Sequence, residues 1–198
     1  MALRVVAACA VAVTVTGCGG EAGGSGAAVW SSPSVTSDVT PKAPQASATS
    51  APDRVKEITA ACKLLPADVV VDVLGGSASA KLTAKEDPVE RLAEGLVRHG
   101  CTYGQGGKEP FSLLVSVRPN RAADAAAAIE AIGQASGTKT TAITGVGAGG
   151  VGYITGAHRV VAIAVPYEDQ LRLVIFTGPK VVPHAKLVEV AKRVVVQV

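Results

Sequence analysis

Two kinds of apolar spacing alternate along residues 53–198. Val69, Val70, Val73 and Leu74 recur at the three- and four-residue intervals of one helix face. Pro66 suits a first helical position, Asp68 complements the positive end of the helix dipole, and Gly75-Gly76 supplies a stop. Phe111, Leu113, Val115 and Val117 then alternate with Ser112, Leu114, Ser116 and Arg118, the period of a strand with one buried face. Residues 96–103 are its expected hairpin partner, across a loop at 104–110. The Ala-rich stretch 121–136, carrying Ile129 and Ile132, predicts a helix that stops at Gly137. Residues 158–165 and 171–177 are strongly β-branched and predict a second hairpin around Tyr167-Glu168-Asp169-Gln170. From Pro183 onward, Leu187, Val188, Ala191, Val194 and Val195 share one face, while Lys186, Glu189, Lys192 and Arg193 share the other, the pattern of a closing amphipathic helix. The order helix, hairpin, helix, hairpin, helix predicts an α+β domain. Its sheet should be largely antiparallel, with about five strands covered by two or three helices, and the hairpin-helix unit occurs twice.

The first 52 residues follow a different rule. Arg4 precedes an apolar run at 5–13, too short to span a bilayer as a helix, which takes about 20 residues. It reads as a secretory leader. Val15-Thr16-Gly17-Cys18 resembles the lipobox of bacterial lipoproteins: an apolar residue, two small ones, then a cysteine whose thiol takes a diacylglyceryl group. Residues 1–17 are thus expected to be a signal peptide, with Cys18 the lipidated first residue of the mature chain, anchored at the extracytoplasmic face of the cell membrane. Residues 18–52 are rich in Gly, Ala, Ser, Thr and Pro and carry only Glu21, Asp38 and Lys42 as charges. They are expected to form a disordered tether with an r.m.s. reach of about 30 Å. Residues 53–198 are expected to make one domain.

Composition narrows the chemistry. The chain is 48% hydrophobic but only 3% aromatic, so its core must be built from Ala, Val and other small or branched side chains. The formal net charge of +3 falls by one once Arg4 leaves, and Lys and Arg are not clustered, which argues against a nucleic-acid partner. Cys9 leaves with the leader and Cys18 takes lipid, so Cys62 and Cys101 remain as a pair in an oxidising compartment and are expected to form a disulfide. A metal site would need about twice as many ligands, and no His lies at finger-like spacing. Gly145-Val146-Gly147-Ala148-Gly149-Gly150 matches the glycine spacing of dinucleotide sites, yet Val151, Tyr153 and Ile154 follow it as a strand rather than as a helix. It is expected to be a structural turn. His99, His158 and His184 are candidate bases and Ser77, Ser79, Ser112 and Ser116 candidate nucleophiles, but no G-x-S-x-G or H-E-x-x-H frame holds them. His184 reads as a surface residue, and Glu86, Asp87, Glu90 and Glu94 as a solvated loop or short helix. No catalytic residue, cofactor or metal is assigned.

Cys62-Lys63-Leu64-Leu65 running on to Val73-Leu74-Gly75, the second cysteine in Cys101-Thr102-Tyr103, Val146-Gly147-Ala148 before Gly152-Tyr153, and the closing amphipathic helix together resemble the actinobacterial lipoproteins grouped as domain of unknown function 3558. Tyr103 stands where that family usually carries Trp. The resemblance implies a lipid-anchored envelope protein and offers no catalytic residue to carry over. The leading expectation is a binding or interaction module that holds an envelope protein, a peptide or a lipidic ligand near the membrane. An envelope hydrolase and a carrier of apolar ligands are the alternatives.

If Cys18 is the lipidation site, intact membrane-extracted protein should show the mass of residues 18–198 plus acyl chains. The Cys18→Ser variant should leave the membrane fraction, because stable anchoring requires the acyl chains. A variant still cleaved at the same bond and equally membrane-bound would refute the assignment.

Overall fold

The computed structural model describes residues 54–76 and 81–198. The leader, Cys18, the tether and the candidate nucleophiles Ser77 and Ser79 lie outside the described residues.

The described chain is α+β. Its elements in order are α1 (Ala61–Leu64), α2 (Ala67–Leu74), β1 (Thr83–Glu86), β2 (Glu90–Arg91), β3 (Val97–Gln105), β4 (Lys108–Arg118), α3 (Ala125–Ala135), β5 (Thr141–Ile143), β6 (Gly149–Thr155), β7 (His158–Tyr167), β8 (Gln170–Pro179) and α4 (His184–Val195). All strand pairs are antiparallel, in the order β1-β3-β4-β8-β7-β6-β5, with β2 beside β1 on the same edge of β3.

The expectation of about five strands and two or three helices is corrected to eight strands and four helices among the described residues. The three added strands, β1, β2 and β5, are two to four residues long and lie at the sheet edges. Such segments take their conformation from the neighbouring strand's hydrogen bonds and bury too little of themselves to leave a period in the sequence. Glu86 and Glu90 are therefore strand residues, and Glu94 lies in a 3-10 turn with φ 57°. The first helix expected from Pro66 is α2, with Pro66 as the cap that precedes it and Gly75 closing it in the left-handed region, and α1 is a further short helix before it. The loop placed at 104–110 shrinks to Gly106-Gly107, because β3 and β4 run on to Gln105 and Lys108.

The two hairpins, β3-β4 and β7-β8, lie side by side with β4 against β8. Their following helices take opposite faces, since α4 packs on β7 and β8 with α2 beside it, while α3 packs on β6 and β7 from the other side. Val160 to Val165 are consequently all buried. That double cover is why the sequence there is a continuous apolar run rather than an alternation. On β4, Leu113 and Val115 are buried in the main core; on the back, Ser116 is buried near α3 while Leu114, further along, is half-exposed.

Three of the scarce aromatic side chains gather in one place. Phe111 stacks on Phe176 at 6.2 Å between ring centroids and Tyr103 meets Phe176 edge-on at 6.5 Å. The fully buried Tyr103 hydroxyl donates to the Leu65 carbonyl at 2.7 Å, fixing the break between α1 and α2 to the sheet.

The glycine segment is a turn that feeds β6. Gly145, Gly147 and Gly149 have positive φ, and Ala148 donates its N–H to the Ala164 carbonyl at 2.8 Å. A Cβ on Gly147 would collide with that same carbonyl, whereas one on Gly145 would meet open space. Gly147→Ala should therefore lower the melting temperature by about 5 °C or more and Gly145→Ala by clearly less, since only the first adds a clash to the left-handed backbone penalty. Equal melting temperatures for the two variants would contradict this geometry.

Candidate functional site

The residues singled out from the sequence do not converge. Cys62 and Cys101 are disulfide-bonded, with Cα atoms 5.2 Å apart, joining α1 to β3. Glu86 sits beside them, its ligand-type atoms within 4.8 Å of both sulfurs. Its two carboxylate oxygens accept the N–H groups of Ala61 and Cys62 at 2.6 and 2.9 Å. The trio is thus a capped helix start tied down by a disulfide, with both sulfurs committed to each other, and Glu86 has a structural role that the solvated-face reading missed. His158 is exposed at the start of β7. Ser112 and Ser116 share the face of β4 opposite the one that carries Val115, the partner of His99.

His184 corrects its surface reading. It is half-buried at the start of α4, with its ring against Gly152 on β6, where a Cβ would overlap the imidazole. Its Nε2 is buried without a hydrogen-bond partner. Burial, and secondarily the Arg159 charge, push its pKa below the ordinary value.

His99 marks a different place. It is 6% exposed on β3, two residues before the disulfide, and its Nδ1 has no hydrogen-bond partner among the described residues. On the same face, Val97, Val117 and Arg172 form one row across β3, β4 and β8. The Arg172 side chain, 1% exposed, spreads beneath the entering chain. Its Nη1 donates to the Val55 carbonyl and its Nη2 to the Lys56 carbonyl, both at 2.6 Å, and Nη2 reaches Gln170 Oε1 at 3.4 Å. The guanidinium carbon lies 3.8 Å from the centroid of the Tyr167 ring. Arg172 Nε, like His99 Nδ1, is buried and unpartnered.

Between these groups a half-open cavity of about 320 Å³ is roofed by residues 56–59 and floored by Val97, His99, Val117, Gln170 and Arg172, with Val89 and Arg91 at the sheet edge. Lys56, Arg91 and Arg172 bring three positive charges against the single carboxylate of Glu57, and Ile58, Val89, Val97 and Val117 supply the apolar wall. His99 is held below its ordinary pKa of 6.5, first by burial, with Arg91 acting in the same direction and Glu86 and Glu57 opposing it. The imidazole is therefore neutral at pH 7 and offers one N–H and one lone pair.

A second depression of about 300 Å³ runs along α3 on the back of the sheet, between Ala128, Ala131, Ile132 and Ala135 on one side and Ser116, Leu171 and Leu173 on the other. It is mainly apolar and carries the charge of Arg118 only. Its polar groups do not converge, in contrast to the cavity at His99.

The chain matches no family model, no curated protein and no solved structure.

In the sequence His99 is one of three histidines that nothing local distinguishes, and Arg172 belongs to no motif. Arg172 does leave a signal: it is the one charge inside the apolar run 171–177, on a strand whose other face is also apolar. A charge in such a run must find partners or a cavity.

Both buried histidines bind protons more weakly when folded than when unfolded. Stability should thus be full above the ordinary value of 6.5 and should fall as the pH drops below it, because the unfolded chain takes up protons first. The melting temperature should decline between about pH 7 and 5, and His99→Leu should flatten the decline. An unchanged slope in that variant would show that His99 is not held neutral.

Proposed function

We propose that the chain is a lipid-anchored envelope lipoprotein, tethered through Cys18 at the extracytoplasmic face of the membrane, that acts as a binding module with the His99–Arg172 cavity as its ligand site. The lipobox-like Val15-Thr16-Gly17-Cys18 and the likeness to the domain of unknown function 3558 lipoproteins support the anchor and address. No helix among the described residues is long and apolar enough to cross a membrane. One observation carries the binding reading: a half-open cavity of about 320 Å³ brings the apolar side chains of Ile58, Val97 and Val117 together with His99 and the charged groups Lys56, Glu57 and Arg91.

Hydrolysis is the second reading, because the cavity also gathers Glu57 and Thr59 around His99. Against it, no hydrogen bond links His99 to either, so neither an oriented base nor an activated hydroxyl is in place.

The two readings separate in one experiment. An organic extract of bacterial envelope, added to the full chain in lipid nanodiscs, should shift the methyl resonances of Ile58, Val97 and Val117, and the retained compound should be recovered chemically unchanged. Loss of that compound with time, abolished by His99→Gln, would put hydrolysis first. No methyl shift with any extract fraction would refute a ligand site here.

A further inference from the structure

We infer that the outer edge of β5, with the flank of α4 beside it, is a docking groove for an extended segment of a partner protein, which adds to the sheet as a further strand and sets an apolar side chain against Ile143 and Val188 and an acidic one at Lys192. This groove is apart from the His99–Arg172 cavity, and neither site depends on the other.

The backbone sets the kind of partner. β5 stands at the end of the strand order and pairs, among the described residues, with β6 alone. Successive residues of an antiparallel strand turn their N–H and C=O groups to alternate sides, so part of the β5 backbone faces away from β6. Thr138 to Ala142, and Thr144 and Gly145 beyond Ile143, are exposed, which leaves that edge open to solvent. A row of alternating donors and acceptors is matched by another extended backbone, the source of affinity in strand addition.

The helix turns this edge into a groove. Ala185, Val188 and Lys192 lie three and four residues apart on one stripe of α4 and, with Thr141 and Ile143, line an open groove of about 470 Å³. Ile143 is paired with Gly150, and Gly150 with the core residue Ile163, so Ile143 points to the face of the sheet that α4 covers. Val188 lies half-buried there. An incoming strand turns every second side chain to that face, so an apolar residue can meet Ile143 and Val188 while the residue two further on reaches the α4 rim.

Charge selects that second residue. Glu189 is held by Lys186 at 3.6 Å, whereas Lys192 forms no salt bridge among the described residues. Neither does Lys139, which lines the adjoining depression at Thr141 and His184. An acidic side chain complements both. Area decides against a second copy of this chain, because two three-residue edges paired across a twofold axis fall short of the roughly 1,200 Å² that a specific dimer buries.

Full chain in lipid nanodiscs is titrated by calorimetry with the blocked peptide acetyl-Thr-Val-Thr-Glu-Thr-amide and with versions carrying Ile, Leu or Phe for Val, while hydrogen exchange is followed over residues 138–145. The best of these peptides should slow exchange at β5 and move the Val188 methyl resonances. Two analogues of it, N-methylated at alternate residues, should differ: the one that loses the donors facing β5 should bind about tenfold more weakly, and the other like the parent. Lys in place of Glu in the peptide should weaken binding about threefold, and Lys192→Glu, exposed and clear of the core, should reverse the order of the two peptides. Equal binding of both N-methylated analogues, or unchanged exchange over 138–145 with every peptide, would overturn the inference. Exchange at β5 that slows with protein concentration in the absence of peptide would replace the partner by a second copy and overturn it equally.

Discussion

A guanidinium can be buried only if its donors are met, and the way Arg172 is met shapes one whole end of the domain. Two of its nitrogens hold the carbonyls of Val55 and Lys56, and Tyr167 covers a face of the group. The entering chain is thus held on the guanidinium, and its residues 56–59 line the cavity together with Val97 and Val117. The same segment closes the domain, since the Val55 N–H donates to the Gln197 carbonyl at 2.8 Å and so joins the first described residues to the last. Gln197 in turn reaches the Leu64 carbonyl, the end of α1, with its side-chain amide. Replacing Arg172 by an apolar residue would release the segment and remove the site in one step.

A chain of Ala and Val with few aromatic side chains cannot fill large volumes, and the architecture follows from that shortage. Breadth replaces bulk: a wide antiparallel sheet buries many small side chains, and helices lie close against it where β7 offers only Val, Ala and Ile. Phe111, Phe176 and Tyr103 are spent together, with Tyr103 tied to the end of α1 through the Leu65 carbonyl. At the Arg172 end the aromatic ring on the core face is Tyr167, which lies over the guanidinium.

Legibility in the sequence followed the amount of side-chain burial behind each signal. The helix faces at Val70 and Val73 and at Leu187, Ala191 and Val194, and the hairpins at 111–117 and 158–177, bury their period and were readable from it. The edge strands β1, β2 and β5 are two to four residues long, with Ile143 their one buried side chain, and were not. The doubled hairpin-helix order was visible, but not that α3 and α4 would take opposite faces, because which side a helix covers depends on the reverse face of a sheet not yet formed. The disulfide was readable from cysteine number and compartment. The site was not: His99 and Arg172 are 73 positions apart, joined only by the register of β3, β4 and β8. No local motif marks a pair assembled through Val117.

His99 Nδ1 and Arg172 Nε are two of four unsatisfied buried side-chain atoms among the described residues; each subtracts from a domain whose whole stability is of the order of 5–15 kcal/mol, and strong anchors nearby offset that cost. The Cys62–Cys101 bond is placed to do so. Cys101 is two residues from His99 on the same strand and faces the same side, and Cys62 lies just past the roof segment 56–59. In the chain-entropy view, closing a loop with a sequence separation of 39 contributes about 4 kcal/mol, the same order as the penalty of the two orphaned groups. Glu86 reinforces the corner by capping Ala61 and Cys62 from β1. The roof is thus held near one end by a covalent bond and at the other by the Arg172 hydrogen bonds, with the cavity lying between the two anchors.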